Sequence, residues 1–343
     1  MKILHLGDLH VGVKSDDPWI QHIQMDVIEQ AIKYSVKHKI KNWIQYGDFF
    51  DVRKGVTQES MNFARKIIEL LSNHNIHMDV IIGNHDMHKK DRLTPNSVSE
   101  ILRGYPHITI HEKPKTVVYD KVKIDLIPWM CKTNTSEILS FVKKSKSDYC
   151  IGHWELNGFY YYKGLPSHGL EPDFLRGYKQ VWSGHFHCIS EAANVKYIGT
   201  PFTITAGDEN DPRGFWILDT TDESFTFVEN ETCWHKKLYY PDDKIVAKDY
   251  KNLAIRIVAD KIDAGLTKLE GELEEVVHSL SIIAPLSSNV SGDSDEEVSD
   301  EIENPSLLDL GYKHIDKMKD LSAEDAKRIK ALFNKLWIEA QNQ

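Results

Sequence analysis

The chain has 343 residues and a formal net charge of −10; 41% of its residues are hydrophobic and 27% are charged. This composition is typical of a globular protein and excludes a collagen-like or wholly disordered chain. Its apolar runs are far shorter than the ~20 residues that cross a bilayer, the N-terminus lacks the pattern of a signal peptide, and the four cysteines form no CxxC pair. We therefore expect a cytoplasmic protein with no membrane contact and no disulfide framework.

The first half of the chain alternates between strand-like and helix-like patterns. Three short apolar runs are typical of strands: Ile3–Leu6, Trp43–Tyr46 and Val80–Ile82. Between them apolar residues recur at helical spacing, first from Trp19 to Ile32 and then at Met61, Ala64, Ile67, Ile68 and Leu71. Strands that alternate with helices predict an α/β fold with a largely parallel sheet, and such sheets bind ligands at the carboxyl ends of their strands.

Strand-like patterns dominate from about Val117 to Tyr240. They cover Val122–Ile127, Tyr149–Ile151, Val181–Trp182, Val195–Ile198, Phe215–Leu218 and Phe225–Val228. A second sheet packed on the first is the simplest arrangement, so the predicted fold class is α/β, a two-sheet β-sandwich flanked by helices. Asn252–Ala259 predicts a further strand. The helical spacing of the apolar residues that follow predicts a helix through Leu266, Leu269, Leu273, Val276, Val277 and Leu280. This strand and helix together predict a small α/β cap domain.

An acidic stretch, Ser287–Asn304, separates this cap from the end of the chain. It contains seven acidic residues and no basic one, and without it the chain is nearly neutral. Low apolar content and self-repelling charge predict a disordered linker. The predicted organisation is a main domain at 1–240, the cap at 241–284, an acidic flexible linker at 285–305 and a helical segment at 306–343.

The last predicted helix has a strongly apolar face. Ser322 and Asp325 are spaced as a capping box. The apolar face that follows consists of Ile329, Leu332, Phe333, Leu336, Trp337 and Ala340. A segment this short cannot bury such a face by itself, so it either folds back on the main domain or docks into a groove of another protein. A tether is unnecessary for a segment packed on its own domain, which favours docking.

Five segments place Asp, Asn or His at the ends of predicted strands. In chain order they are Asp8-Leu9-His10, GDFFD (47–51), GNHD (83–86), Gly152-His153 and GHFH (184–187). A glycine lies at or beside each polar group, as a sharp turn at a strand end requires. Alternate residues of an extended segment point the same way, so Asp8 and His10 can face one point, as can His185 and His187.

These residues have the chemistry of metal ligands. Carboxylate, imidazole and amide oxygen without thiolate suit Mn²⁺, Fe or Zn²⁺. The five segments together offer seven candidate ligands. They are too many for one ion with open positions, and they suit two ions that share a carboxylate. Two ions about 3.5–4 Å apart clamp a phosphoryl group and activate a water, so the pattern predicts phosphoester hydrolysis. One such motif is common by chance, whereas five in order are not.

The ordered motifs resemble those of the calcineurin-like metallophosphoesterase superfamily. Within it, GDFFD, GNHD and the spacing to GHFH resemble the SbcD-type nucleases of double-strand-break repair, as do Tyr197–Pro201 and Arg213-Gly214-Phe215. The resemblance is strongest to the members encoded by T-even bacteriophages, and it includes HWELNGFYYY (153–162) and TAGDENDPRGFW (205–216). It extends from residue 1 through the C-terminal helices and is weakest in the acidic linker.

This resemblance implies roles for individual residues. One ion would be bound by Asp8, His10, Asp48 and His187. The other would be bound by Asp48, Asn84, His153 and His185, so that Asp48 bridges the two. His85 would bind no metal and would act near the scissile phosphate as leaving-group acid or transition-state stabiliser, with Asp86 holding its imidazole in the required tautomer. The implied cofactors are two Mn²⁺ ions, with Mg²⁺ as a substitute.

The resemblance also implies an activity and partners. The activity would be that of an exonuclease on double-stranded DNA ends and an endonuclease on single strands, in recombination, repair and replication. The partners would be DNA, a second copy of the chain and an SbcC-like coiled-coil ATPase bound by the C-terminal helices.

Two other functions use the same residues differently. A metallophosphatase acting on phosphoprotein or a cyclic nucleotide would need the same two-metal site. However, protein phosphatases that resemble this superfamily carry Arg directly after GDxxD, and GNHE, where this chain has Val52 and Asp86. A non-enzymatic scaffold with a decayed site is disfavoured because no ligand position is substituted.

Several neighbouring residues have two interpretations. Some relatives carry a His at the position of Asp51 that is thought to help orient substrate, so that role is in question here. DNA-backbone contacts and a solvated basic loop are equally compatible with Arg53, Lys54, Lys89, Lys90 and Arg92. The aromatic run Phe159–Tyr162 fits base stacking, but a place in the core is favoured.

Overall fold

The computed structural model describes residues 1–162 and 165–284, together with the isolated positions 315, 329, 330 and 333. The chain divides into two compact units, Met1–Leu286 and Ser287–Gln343. The predicted linker at 285–305 lies outside the described residues, as does the helical segment at 306–343 apart from those four positions. None of the described helices is long and apolar enough to cross a membrane.

Within its described residues the first unit contains six α-helical segments, three 3₁₀ turns (Pro172–Leu175, Ala206–Asp208 and Ala247–Tyr250) and nineteen strands. Helices α1–α6 are Val13–Asp16, Pro18–His38, Gln58–Asn73, Ser97–Leu102, Thr135–Lys144 and Ala264–Glu274. Strands β1–β10 are Lys2–Leu6, Asn42–Gln45, His77–Ile81, Met87–Lys89, Arg92–Asn96, Ile108–His111, Lys115–Tyr119, Val122–Ile127, Tyr149–His153 and Tyr160–Tyr162. Strands β11–β19 are Leu165–Pro166, Gln180–Gly184, Ser190–Ala192, Val195–Tyr197, Gly214–Asp219, Ser224–Glu229, His235–Tyr240, Ala254–Ala259 and Ser279–Ile283.

Two six-stranded sheets form the body of this unit. The first has the order β16-β15-β1-β2-β3-β6, in which β1, β2, β3 and β6 are parallel and β15 and β16 form an antiparallel edge. The second has the order β13-β14-β12-β9-β8-β7, in which β8, β9, β12 and β14 are parallel. A three-stranded parallel sheet, β17-β18-β19, is separate from both. The predicted α/β fold class with two sheets and flanking helices is confirmed.

Apolar side chains from both large sheets form one core cluster. It includes Ile3 and Ile44 from the first sheet and Leu126 and Trp182 from the second, and all four are buried. Each fully buried Leu or Ile stabilises the fold by about 1.5–3 kcal/mol relative to exposure. The other face of the first sheet is covered by α2 and α3, which contribute their apolar stripes to a larger cluster. Because the central strands of each sheet are parallel, their carboxyl ends lie together at one edge of that sheet.

The helix predicted to reach Leu280 is too long. Helix α6 ends at Glu274, and Leu280 lies in β19, where it pairs with Ile255 of β18. Serine and apolar residues alternate over 279–282, which is a strand period that the apolar spacing of the preceding helix obscured. The small sheet also contains β17, which precedes the predicted cap boundary at 241, and the domain boundaries stay a prediction.

Burial of His5 makes the stability of the fold depend on pH. The ring is fully buried beside Trp182 and Phe225, its Nδ1 lies 2.6 Å from the Tyr46 hydroxyl, and burial lowers its pKa from 6.5 to about 3. The unfolded state therefore binds the extra proton, so this contribution to stability is lost as pH falls from about 6.5 towards 3, by about 1.4 kcal/mol per pH unit. In urea unfolding at several pH values, the free energy of unfolding below pH 6.5 should fall more steeply in the wild type than in His5→Asn, by about 1.4 kcal/mol per pH unit. His22→Asn, at an exposed position, should keep the wild-type slope.

Candidate metal centre

The loops that follow β1 and β2 are joined by backbone hydrogen bonds. The amides of His10 and Val11 donate to the carbonyls of Asp48 (2.9 Å) and Phe49 (2.8 Å). His10 and Asp48 have φ of 46° and 51°, and His185 has φ of 87°. Such a left-handed backbone costs a residue with a side chain roughly 1–3 kcal/mol and recurs at functional sites. The strain brings carboxylate and imidazole groups of separate strands to one rim.

The first group of candidate ligands is Asp8, His10 and His187, whose nearest ligand atoms lie within 4.8 Å of one another. The Nε2 atoms of His10 and His187 are 3.1 Å apart. On its other side, His10 Nδ1 lies 3.0 Å from a carboxylate oxygen of Asp51, an ionic contact that is not aligned as a hydrogen bond. The negative charge favours the proton on Nδ1, so the Nε2 lone pair faces His187. Carboxylates commonly orient metal-binding histidines from their second ring nitrogen.

The second group is Asp48, His153 and His185, joined by Asn84. The Asn84 Oδ1 atom lies 2.9 Å from both His153 Nε2 and His185 Nδ1. His153 has Nδ1 2.7 Å from the carbonyl oxygen of Tyr46, which can only accept, so the proton belongs on Nδ1. The Nε2 lone pair of His153 then faces the Asn84 oxygen and the Asp48 Oδ2 atom, 3.1 Å away.

The structure therefore brings all seven predicted ligands together. Asp48 belongs to the second group through its 3.1 Å approach to His153, and its Oδ2 is 4.0 Å from His10 Nε2 of the first. Lone pairs of buried nitrogen and oxygen atoms that face one another repel unless a cation lies between them. Within the described residues, Asp8 Oδ1 and His185 Nε2 are also buried without a hydrogen-bond partner. The donor set fits two divalent cations.

The electrostatics of the cluster favour bound positive charge. Burial by itself lowers the pKa of His153, but the negative charges of Asp48 and Asp8 outweigh it and raise this pKa to about 9. Burial likewise opposes the charge on His10, whose contact with Asp51 and proximity to Asp48 raise its pKa to about 9. Burial raises the pKa of Asp8 to about 7. A cation would replace the protons that the cluster otherwise holds.

His85 lies beside the cluster but outside both groups. Its side chain is 38% exposed, and its ring centroid is 4.9 Å from that of His10. The Nδ1 atom is 2.7 Å from the carbonyl oxygen of Asp51, to which it donates, and the amide of His85 donates to Asp48 Oδ1 (2.7 Å). This leaves Nε2 as the ring nitrogen that is free to face a substrate.

Asp86 does not hold the imidazole of His85, which corrects the role that the sequence suggested. Its two carboxylate oxygens accept hydrogen bonds from the amides of Phe50 and Gly83, each at 2.9 Å. Because both oxygens of this buried carboxylate accept from backbone amides, Asp86 does not set the tautomer of His85. The Asp51 carbonyl, which accepts from His85 Nδ1, sets it instead. Asp86 joins the GDFFD and GNHD loops.

Sequence reasoning missed two groups that hold the imidazoles. The carbonyl of Tyr46 contacts His153, and Asp51 contacts His10 through its carboxylate and His85 through its carbonyl. The only signal for Asp51 was its place in GDFFD. A third set of possible ligand atoms, His10, Asp51 and His85, also lies within 4.8 Å.

Gly83 leaves room for Asp48, and its replacement tests the geometry. A β-carbon at Gly83 would lie 2.2 Å from both the amide nitrogen and Oδ1 of Asp48. We expect Gly83→Ala to displace that carboxylate and to lower the rate of phosphodiester hydrolysis by about 10²-fold, as a 1 Å misplacement does. The matched control is Gly55→Ala, because an added methyl group there meets nothing within 4 Å. Equal rates for both variants would contradict the placement of Asp48.

A cleft of about 380 Å³ adjoins the second group of ligands. Trp129, Trp154, Glu155 and Leu170 line it together with His153, and the Trp129 ring centroid is 5.1 Å from that of His185. The aromatic run predicted for core or stacking is divided: Phe159 is buried and Tyr160 is exposed. A second groove of about 330 Å³ is lined by residues that include Arg53, Lys54 and His88.

Comparison with known proteins places this chain in a family. Residues 1–189 match the family described as calcineurin-like phosphoesterase. Exonuclease subunit 1 of Enterobacteria phage T4 is 53% identical over 341 residues, which cover 99% of each chain. The DNA double-strand break repair protein Mre11 of Nanoarchaeum equitans is 23% identical over 274 residues, 73% of each chain.

The similarity to the solved structure of another protein, GAP50, is weak. GAP50, the anchor in the inner membrane complex of Plasmodium, gives a TM-score of 0.39 at 11% identity over 68% of this chain and 90% of that chain, which supports no conclusion. The family match covers more than half of the chain, and members of that family use a dinuclear metal site. The chain therefore belongs to the calcineurin-like phosphoesterase family, and its sequence is similar to that of phage T4 exonuclease subunit 1 over nearly its whole length.

Proposed function

We propose that this chain is a two-metal DNA nuclease, an exonuclease on double-stranded ends and an endonuclease on single strands. The observation that carries the proposal is the convergence of seven ligand residues with Asp48 between the two groups. One ion is assigned to Asp8, His10, Asp48 and His187. The other is assigned to Asp48, Asn84, His153 and His185.

The chain's own residues would prepare the site for phosphodiester hydrolysis. When bound, two divalent ions supply positive charge to the phosphoryl oxygens and lower the pKa of the attacking water. The contacts of His10 with Asp51 and of His153 with the Tyr46 carbonyl keep both Nε2 lone pairs directed to the centre. His85, held at Nδ1 by the Asp51 carbonyl, presents Nε2 to the substrate, where it protonates the leaving oxygen or donates to a phosphoryl oxygen.

Basic residues near His85 support a nucleic-acid substrate. Arg53 and Lys54 follow Val52, the residue after Asp51, and they line the second groove with His88. Lys89 and Arg92 pair across the β4–β5 hairpin and are exposed. Lys and Arg side chains bind the phosphate backbone without reading sequence, and exposed aromatic rings near a site stack on unpaired bases. The similarity to a phage exonuclease subunit and to a break-repair protein supports DNA.

A metallophosphatase is the second candidate, since the same ligand set hydrolyses phosphomonoesters in other proteins of this kind. The residues beside the cluster disfavour it. Val52 stands where protein phosphatases that resemble the superfamily carry Arg, and Asp86 stands where they carry Glu. The relative that matches over 99% of the chain is an exonuclease subunit.

The proposal extends to the cofactor and the assembly. We infer two Mn²⁺ ions, which suit oxygen and imidazole ligands, with Mg²⁺ as a substitute. The word subunit in the name of the phage relative supports a larger complex. We propose a homodimer joined to an SbcC-like ATPase through residues 306–343, the segment that the sequence predicts to be helical. This complex would act in recombination, repair and replication in the cytoplasm of the host.

The experiment is cleavage of DNA labelled at the 5′ or 3′ end, single- and double-stranded, with Mn²⁺, Mg²⁺ or EDTA. We expect Mn²⁺ to support cleavage of both substrates and Mg²⁺ to support slower cleavage. EDTA should abolish cleavage, because the ligand side chains support hydrolysis only when they hold a metal ion. p-Nitrophenyl phosphate and a phosphopeptide serve as the comparison. Hydrolysis of these monoesters without any cleavage of DNA, even with the ATPase added, would favour the phosphatase instead.

A further inference from the structure

One buried arginine lies behind the metal cluster without touching its ligand atoms. Arg213 immediately precedes β15 and is 4% exposed. Its Nη1 donates to the carbonyl oxygen of His187 and to the Thr200 hydroxyl oxygen (2.6 Å). Its Nη2 donates to Asp208 Oδ1 (2.9 Å) and to Asp211 Oδ2 (3.3 Å). One guanidinium thus joins the backbone of a candidate ligand to three other side chains.

His187 lies in a loop between two strands of the second sheet. Strand β12 ends at Gly184 and β13 begins at Ser190, so residues 185–188 are not held by strand pairing. The carbonyl of His187 accepts one more hydrogen bond, from the amide of Thr200 at 3.0 Å. Elsewhere in the loop, Phe186 is buried in the core and the amide of His185 donates to Asp8 Oδ2. The position of the His187 carbonyl itself therefore depends on the donors supplied by Thr200 and Arg213.

The other end of the arginine contact is firmly held. Asp208 Oδ2 accepts from the amides of Ile204 (2.8 Å) and Thr205 (3.0 Å). Arg213 leads directly into β15, which pairs with β1, the strand that ends just before Asp8 and His10. Arg213 thus connects the loop of a second-sheet strand to the first sheet.

We propose that Arg213 is a positioning residue that fixes His187 opposite His10 and so sets the affinity of the ion bound by Asp8, His10 and His187. It contacts neither ion nor substrate. The inference rests on the two-metal site of the proposed function. Among the ligands assigned to the other ion, only His185 belongs to this loop, and its amide donates to Asp8 Oδ2 (3.0 Å) while its Nδ1 lies 2.9 Å from Asn84 Oδ1. That ion should therefore depend less on the Arg213 contact.

The test is calorimetric titration of the full chain with Mn²⁺, after EDTA and dialysis, which reads binding without turnover. We expect two ions in the wild type and a loss of about 10–100-fold in the affinity of one of them in Arg213→Met, as for other residues that orient metal ligands. Arg213→Lys should show a smaller loss than Arg213→Met, because the ammonium group keeps the positive charge and can still donate. It should not restore the wild-type affinity, because it lacks the planar guanidinium that donates to several acceptors at once. In both variants the affinity of the other ion should stay within about twofold.

The matched control is Arg256→Met. Arg256 also pairs with an acidic residue, Glu209 at 2.9 Å, but it has no contact with the His187 loop among the described hydrogen bonds. Unchanged affinities in both Arg213 variants would overturn the inference, as would an equal loss at both sites with a lower melting temperature in EDTA, which marks a merely structural role. Fewer than two ions in the wild type would instead overturn the two-metal function on which the inference rests.

Discussion

Asp48→Asn is expected to abolish the nuclease activity, with a fall in kcat/KM of more than about 10³-fold. The carboxylate lies between the two ligand groups, 3.1 Å from His153 Nε2 and 4.0 Å from His10 Nε2. The neutral amide removes the charge that both ions would share, and the metal contribution to transition-state stabilisation is several kcal/mol. Cleavage of labelled DNA and Mn²⁺ calorimetry on the same preparations measure the effect.

Asparagine has nearly the same size and shape as aspartate, so this substitution tests the charge of Asp48. In the wild type the amide of His85 donates to Asp48 Oδ1 at 2.7 Å. The side-chain oxygen of asparagine can accept the same hydrogen bond, so the loop should keep its backbone conformation. The matched control is Asp173→Asn, an exposed aspartate that pairs with Arg176. If Asp48→Asn binds two ions as tightly as the wild type does, Asp48 is not a shared ligand.

His85→Gln is expected to lower kcat on DNA by about 10²–10⁴-fold while both ions still bind. Glutamine can keep a hydrogen bond to the Asp51 carbonyl, which lies 2.7 Å from His85 Nδ1, but it cannot transfer a proton at the position of Nε2. General acid catalysis by a placed imidazole contributes an effect of this size. Single-turnover cleavage of labelled DNA gives the rate, and Mn²⁺ calorimetry shows whether the site is intact.

A second substrate separates the two roles assigned to His85. In bis-p-nitrophenyl phosphate the leaving group departs as a stable anion and needs no proton. If His85 protonates the leaving oxygen, His85→Gln should lose far less activity on this substrate than on DNA; an equal loss on both would assign it to stabilisation of the transition state. His38→Gln, on α2 and stacked on Tyr34, is the control. A His85→Gln variant that cleaves DNA at the wild-type rate would exclude both roles.

Local patterns predicted the framework well because each strand carries its own period. The strand predicted at Val122–Ile127 has these bounds in the structure, and the apolar face of α2 from Trp19 to Ile32 is buried. Errors arose where two periods meet. In α3 the structure buries Phe63 and leaves Met61 38% exposed, and after α6 the chain returns as a strand, which depends on pairing with β18.

The predicted ligands could be grouped because they all follow strand ends, a property of chain order and topology. What orients them could not be predicted. The contacts of Asp51 with His10 and His85 join loops from different strands, and Asp86 turned out to bind the backbone of Phe50 and Gly83 rather than an imidazole. Such contacts depend on the relative position of folded loops, which residue type and spacing do not encode.

The two sheets each contribute to the cluster, and this couples occupancy to folding. Asp8, Asp48 and Asn84 follow strands of the first sheet, whereas His153 and His185 belong to strand ends of the second. A ligand that binds only the assembled state adds RT ln(1 + [L]/Kd) to the free energy of unfolding, about 2.7 kcal/mol for each ion at 100 times its Kd. This linkage is reciprocal. A core substitution that leaves a cavity between the sheets would weaken ion affinity from a distance. A chelator would lower the free energy of unfolding of the two-sheet domain as well as stop its chemistry.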